Sequence, residues 1–318
     1  MFVKGFEQLG KDMFEECGGK AAHLGELTSL RLNVPNGFTV LGDAYYHHLT
    51  VNNLTERIDA LAAAINYDDF QDLEEKTRQI RELIAAVPMP SEIEQEIIEN
   101  YVNLSTTENP FVAVRSSVAI KDSPVSSFPG MMDTFHYIQG ATNVVEKTKE
   151  CWASVWSGRA AFARHAKGLD YSKAVIAPTI QLMVNSEFAG VLFTVNPITG
   201  AKDEIVIESN WGLGETVVCG KCQSDFYVLT KSPVTIKDKR IAKKHETYIQ
   251  AEGGGATWAE VAAEKVSQPT LTEGEVEELC RTACLIEEHY GCHQDIEWAF
   301  EKGKLYILQA RRAKAGGE

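Results

Sequence analysis

The strongest constraint in this chain lies near its end, where two alternating stretches flank Glu301-Lys302-Gly303. Asp295-Ile296-Glu297-Trp298-Ala299 and Lys304-Leu305-Tyr306-Ile307-Leu308-Gln309-Ala310-Arg311 switch between polar and apolar residues, the period of a half-buried strand. The pair predicts a β-hairpin. A three-residue loop takes glycine at its left-handed third position, where Gly303 stands. Phe300 then faces Lys304, Glu297 lies opposite Ile307, and Asp295 lies opposite Gln309. Side chains on one face repeat every second residue, so Asp295, Glu297, Gln309 and Arg311 share a face. Ile296, Trp298, Tyr306 and Leu308 take the other. A two-residue loop would shift the register by one and split the polar set. Carboxylates, an amide oxygen and a guanidinium on one face suit a divalent metal bound to polyphosphate. From the hairpin alone, a solvated outer sheet face is the simpler reading.

With 318 residues the chain has room for two domains or one large core. Its net charge of −14 offers no global field to draw in nucleic acid or an anionic membrane, so neither is expected as a partner. A local basic pocket for a nucleotide is compatible with that total. No apolar run approaches bilayer length, and Met1-Phe2-Val3-Lys4-Gly5 leads into no signal-peptide core. Seven cysteines, an odd count in a chain that needs no staples, point to a reducing cytoplasm. Cys219 and Cys222 have metal-ligand spacing but no second such pair, so all seven read as ordinary thiols.

Gly18-Gly19-Lys20 precedes a helical pattern with Ala22, Leu24 and Leu27; glycines before a lysine let a phosphate approach backbone N–H groups. A strand follows at Val34 to Val40, then polar helices from about Asn53 to Val102, broken at Val87-Pro88-Met89-Pro90. Phe111-Val112-Ala113-Val114 reads as a buried strand that ends in Arg115-Ser116-Ser117, a common way to present groups to an anion. The Ser-, Pro- and Gly-rich run from Ser123 to Thr134 reads as a loop that can close over a ligand, and a strand follows at Phe135. Ala141 to Lys167 carries one helical apolar stripe through Trp152 and Trp156. Strands at Thr179–Val184, Gly190–Val195, Glu204–Glu208 and Asp225–Leu229 precede a helix started by a Thr272/Glu275 capping box.

Together these stretches resemble the nucleotide-binding part of the phosphoenolpyruvate synthase and pyruvate phosphate dikinase family, which includes rifampicin phosphotransferase. The resemblance rests on Gly-Gly-Lys20, Val-Pro-x-Gly-Phe at 34–38, Val-Arg115-Ser-Ser and Pro129-Gly130-Met-Met-Asp-Thr134. It continues through Gly-Val-Leu-Phe-Thr at 190–194, Asn-Pro at 196–197, Glu208 with Trp-Gly-Leu-Gly-Glu at 211–215, Asp-Ile-Glu297-Trp and Leu-Gln309-Ala-Arg311. It covers nearly the whole chain, in family order.

The resemblance implies an α+β, ATP-grasp-like fold with two lobes, residues 1–183 and 184–318, and ATP bound between them. It implies that Lys20 and Arg115 contact the ATP phosphates, that Gly130 and Thr134 belong to the loop covering them, and that Gln181 lies near the adenine. It implies that Glu297 and Gln309 hold Mg²⁺, with Arg311 beside the phosphates. Lys20, Arg115 and Arg311 are then the catalytic cations of a phosphoryl transfer, which runs on positioning and charge neutralisation. The family's phosphohistidine, set in a Thr-Ser-His context, has no counterpart among the eight histidines. The implied system therefore needs a phosphohistidine-carrying domain or subunit and a small-molecule acceptor bound elsewhere. The sequence combines the Arg-Ser-Ser of the synthases with the Pro-Gly-Met-Met-Asp-Thr of the dikinases, so the acceptor is not fixed by branch. Two rival readings are a non-catalytic ATP-sensing module and a self-contained ATP-grasp ligase.

Overall fold

The computed structural model describes residues 1–120 and 134–313. The chain divides into two compact units of mixed α and β structure: Met1–Glu26 with Asn36–Met183, and Leu27–Pro35 with the chain from Val184 onward.

In the first unit a five-stranded antiparallel sheet runs in the order β1 (Val3–Gly5), β2 (Gly37–Val40), β5 (Ala174–Leu182), β3 (Val112–Ile120), β4 (Thr134–Ile138). The helices are α1 (Phe14–Ser29), whose last turn counts with the second unit, α2 (Gly42–Val51), α3 (Thr55–Ala63), α4 (Phe70–Ala86), α5 (Ser91–Val102), α6 (Ala141–Ser154) and α7 (Gly158–Ala166). Their apolar stripes fall at helical spacing, as in Leu73, Thr77, Ile80 and Ile84 of α4. Asp69 caps α4 by accepting from the N–H groups of Gln71 and Asp72, and Pro88 and Pro90 separate it from α5. The stripes bury Ile80, Ile93, Ile97 and Trp152 with Val112, Val114, Ile176 and Ile180 of the sheet.

Two expectations change here. Arg115-Ser116-Ser117 does not end its strand, because β3 pairs with β5 residue by residue from Val112↔Leu182 to Ile120↔Ala174. The arginine sits inside the sheet, and its backbone is spent on the ladder. The stripe from Ala141 to Lys167 is two helices, not one. Ser157 takes an extended conformation, and its hydroxyl caps α7 by accepting from the N–H of Ala160. A serine that can bond the backbone outside a helix competes with helix continuation, and here it wins.

The second unit is built on a six-stranded antiparallel sheet, β13 (Lys304–Arg312), β12 (Gln294–Glu301), β6 (Phe188–Phe193), β7 (Glu204–Trp211), β8 (Asp225–Lys231), β9 (Val234–Arg240). A separate pair, β10 (Glu246–Gln250) and β11 (Ala256–Glu260), a short α8 (Glu215–Val218) and the long α9 (Glu273–Tyr290) complete it. Thr272 and Glu275 form the reciprocal capping box of α9, and Gly291, left-handed at φ 64°, ends it. Val276, Leu279, Ala283 and Ile286 of α9 share one core with Leu192, Ile207, Ile296, Trp298 and Phe300 of the sheet. All seven cysteines are free thiols. No helix among the described residues is long and apolar enough to cross a membrane.

A wholly buried ion pair braces this unit. Asp225, at the start of β8, accepts from Lys244 Nζ at 2.6 Å and from the N–H of Ala242 at 2.9 Å. Its second oxygen accepts from the N–H and the hydroxyl of Thr270 at 2.8 and 2.9 Å. Two otherwise irregular segments are thereby fixed to the sheet. Satisfying both oxygens offsets the desolvation that a buried carboxylate suffers. Asp225→Ala should leave Lys244 charged and buried, costing about 3–5 kcal/mol. By contrast, Asp238→Ala, at the exposed pair with Arg240, should cost under ~1 kcal/mol. Urea denaturation of the two variants checks the contrast, and equal losses would contradict it.

Candidate functional site

The hairpin of β12 and β13 forms, but not with the expected turn. Glu301 pairs with Lys304, so the loop has two residues, and both Lys302 (φ 52°) and Gly303 (φ 71°) are left-handed. This is the turn whose twist matches paired strands. The register then runs Phe300↔Leu305, Ala299↔Tyr306, Trp298↔Ile307. Leu305 and Ile307, not Tyr306 and Leu308, join Ile296 and Trp298 in the core. Tyr306 and Leu308 pack half-buried against Ala299, Ala189 and Val184 on the opposite side. Burying Leu305 and Ile307 contributes roughly 1.5–3 kcal/mol each, which outweighs the ~1–2 kcal/mol for a left-handed lysine. Burial therefore selects the register.

That register alone would have sent Gln309 and Arg311 to the core face. A β-bulge prevents it. Between Glu297 and Trp298 the pairing steps by one, so Leu308 has no register partner and Glu297 pairs directly with Gln309. Asp295 pairs with Arg311. The four polar residues thus share one face, as expected, but as two facing pairs and by a different route. Directly opposed residues hold their Cβ atoms about 5 Å apart, within the span of a carboxylate and an amide oxygen meeting at one ion.

The electrostatics separate the two carboxylates. Arg311 grips Asp295 through Nε at 2.8 Å and Nη2 at 2.7 Å. Burial pushes the Asp295 carboxyl above the ordinary aspartate range; Arg311 opposes that shift and Glu297 adds to it. Asp295 is therefore committed to orienting the guanidinium. Glu297 is the more open of the two. Among the described residues no three His, Cys, Asp or Glu side chains assemble around one point. The donor set is small and hard: one carboxylate and one amide oxygen. That fits Mg²⁺, which keeps most of its coordination for water and phosphate oxygens.

Sequence reasoning gave Glu208 no role, yet it stands on the same face. Glu297 pairs with Val191 on β6, and Val191 pairs with Glu208 on β7. Two strand spacings, about 10 Å, separate the carboxylates, and Ser224 donates to Glu208 at 3.1 Å. A strand at Glu204–Glu208 is legible in the sequence, but the strand order that aligns it with Glu297 is not.

The first unit carries the other group. Arg115 on β3 lies between Thr134 of β4 and Thr179 of β5. Its Nη1 approaches the Gln181 amide oxygen at 3.4 Å, and Gln181 is buried. Arg115, Thr179 and Gln181 fall on the face opposite the apolar core. Lys20 is tied to the same strand through its neighbour. Gly18 breaks α1 at φ 72° and ψ 167°, and the helix resumes immediately after it. A glycine N-cap has no side chain to satisfy the helix start, so Ser117 supplies the hydroxyl, accepting from the N–H of Ala21 at 3.1 Å. A Cβ on Gly18 would lie 2.5 Å from that oxygen and 2.8 Å from the β3 backbone. The structure thus brings Arg115, Thr134 and Gln181 onto adjacent strands, sets Lys20 in a helical turn docked on β3, and groups Glu297, Gln309 and Arg311 in the second unit. Gly130, with the rest of 121–133, lies outside the described residues.

Lys302→Asn should stabilise the protein by about 0.5–1 kcal/mol, since asparagine tolerates the left-handed region better than lysine. In a three-residue loop the same change would be neutral or unfavourable. Thermal or urea unfolding of the variant separates the two.

Comparison with known proteins agrees with the resemblance. Residues 14–318 match the pyruvate phosphate dikinase AMP/ATP-binding domain. The phosphoenolpyruvate synthase of Pyrococcus furiosus is 39% identical over 98% of this chain, a match covering 43% of the relative's length. A probable phosphoenolpyruvate synthase of Methanocaldococcus jannaschii is 39% identical over 98% of this chain and 26% of its own length. The phosphoenolpyruvate synthase of Aeropyrum pernix is 35% identical over 96% of this chain and 41% of its own length. The chain thus spans less than half the length of these relatives. It belongs to the pyruvate phosphate dikinase AMP/ATP-binding domain family.

Proposed function

We propose that this chain is the ATP-binding, phosphoryl-donating module of a dikinase-type phosphotransferase with an ATP-grasp-like, two-lobed fold. The observation that carries the reading is the facing pair Glu297 and Gln309, flanked by Asp295 and Arg311 on a single sheet face. In this reading Lys20, Arg115 and Arg311 contact the ATP phosphates and Gln181 lies near the adenine. Gly130 and Thr134 belong to the loop that covers the phosphates, and Glu297 with Gln309 holds Mg²⁺. When bound, the ion supplies neutralisation of the phosphate charge.

Phosphoryl transfer spreads negative charge over the oxygens of the migrating group, so cations fixed in advance lower the barrier. Arg311 is fixed by its two bonds to Asp295. Arg115 is fixed by its place inside a nine-residue ladder. The acceptor in this scheme is a histidine on a separate domain or subunit, which passes the group to a small molecule such as pyruvate or a phenol. AMP leaves as the histidine takes the β- and γ-phosphates together. Water then releases the γ-phosphate as inorganic phosphate while the β-phosphate stays on the histidine, and the setting is the cytoplasm. The relatives that are phosphoenolpyruvate synthases support that class of chemistry.

Glu297→Ala should lower transfer to a histidine-bearing partner about 10²-fold or more, with the unfolding midpoint unchanged; Gln309→Ala should act in the same direction and less. Near-wild-type transfer by Glu297→Ala at saturating ATP and Mg²⁺ would remove the metal assignment. Product analysis divides the rival classes. Incubated with Mg-ATP alone, the chain should leave ATP largely intact, and AMP should appear on adding the partner. Rapid turnover to ADP by the lone chain given a carboxylate would favour a ligase. Tight ATP binding with no transfer to any histidine partner would favour a sensor.

A further inference from the structure

The first unit contains a cavity of about 180 Å³ that uses none of the residues assigned to ATP. Tyr45 and Ile58, from α2 and α3, line it with Trp156, Tyr171 and Ile176. Trp156 and Tyr171 meet edge to face at 5.1 Å. The walls are mainly aromatic and aliphatic, with the hydroxyls of Thr50, Thr55 and Ser172 among them, a composition typical of sites for a largely apolar ligand.

Two charged groups, Asp59 and Arg164, break this pattern, and of the two only Arg164 is buried. Arg164, in the last turn of α7, lines the cavity yet is only 4% exposed. Its guanidinium lies 5.0 Å from the Trp156 ring, and Nη1 donates to the carbonyl of Val155. Among the described residues no carboxylate pairs with it, and that bond is its only hydrogen bond. Four of the five N–H donors of a guanidinium thus lack a protein acceptor. Burial pulls its pKa below the ordinary arginine value, the sign of a cation short of compensation. A buried charge without a counter-ion is unfavourable, and a planar fork of donors matches a carboxylate bidentately.

We propose that this cavity binds a monocyclic aromatic carboxylate, its carboxyl group on the Arg164 fork and its ring between Trp156 and the aliphatic wall. A cavity of ~150 Å³ lined by apolar side chains accepts benzene, so the volume here suits one ring with a small substituent. Asp59 lines the exposed end, where it accepts from the Tyr171 hydroxyl at 3.0 Å. A carboxylate at that end would meet a like charge, so the ligand carries a single acid group and enters with it foremost. The ring satisfies the apolar walls and the acid satisfies the arginine; neither half alone does both.

Benzoate is the probe, with acetate and phenol as its two halves. Titrated into the full chain, benzoate should saturate below about 10 mM, shift the Trp156 indole N–H signal and raise the melting temperature. Acetate and phenol should do neither at the same concentration. Arg164→Lys should weaken benzoate at least about tenfold, since an ammonium lacks the fork. If Arg164→Lys does not fold, magnetisation transfer from the benzoate ring to Trp156 and Ile176 in the wild-type chain decides. Failure of benzoate to saturate, an equal response to acetate, undiminished binding by folded Arg164→Lys, or absence of transfer to Trp156 would each overturn the site.

Discussion

The second unit depends on one constraint: its sheet must bury a continuous apolar face against α9. Everything at the hairpin follows from that. Burial of Trp298, Phe300, Leu305 and Ile307 fixes which residues of β12 and β13 face inward, and hence forces a left-handed Lys302 in a two-residue turn. Taken alone, the same choice would have turned Gln309 and Arg311 inward, where an unpaired guanidinium would be far too unfavourable. The bulge at Leu308 reconciles the two demands within one strand. Bulges concentrate where a strand must re-aim a side chain, and here the re-aimed residues are the ones proposed to bind metal and phosphate.

The first unit solves a related problem with a different device. Its polar face is held by cross-strand pairing of β3 with β5 over the full length of β3. Lys20 reaches that strand only because Gly18 lets the backbone come within van der Waals contact of Ser117. A hydroxyl borrowed from the sheet completes a helix start that has no cap of its own. Position and stability are coupled here, since the residue that caps the helix is two places from Arg115 on the strand.

Much of this was legible in the sequence. Period-2 alternation at 295–311, the capping box at Thr272 and the proline break near Pro88 each have a local cause, and each element appears where its local signal stands. What escaped has non-local causes. Three- and two-residue loops fit Glu301-Lys302-Gly303 equally well until the core says whether Leu305 or Tyr306 is buried. Arg115-Ser116-Ser117 looks like a strand end because the apolar run Phe111-Val112-Ala113-Val114 stops there, but β5 supplies partners that extend it. Glu208 needed the strand order, which no local pattern encodes. The cavity at Arg164 was invisible for the same reason, since its walls come from stretches more than a hundred residues apart.

In the proposed site the bulge-built pair of Glu297 and Gln309 holds a divalent ion on ATP. Manganese substitutes for magnesium and broadens nearby NMR signals, so the direct measurement is amide broadening by Mn²⁺ with and without ATP. Broadening should centre on Glu297, Gln309 and the neighbouring Val191, depend on ATP and vanish in Glu297→Ala. Broadening centred on the acidic surface helices, or unchanged in that variant, would contradict it.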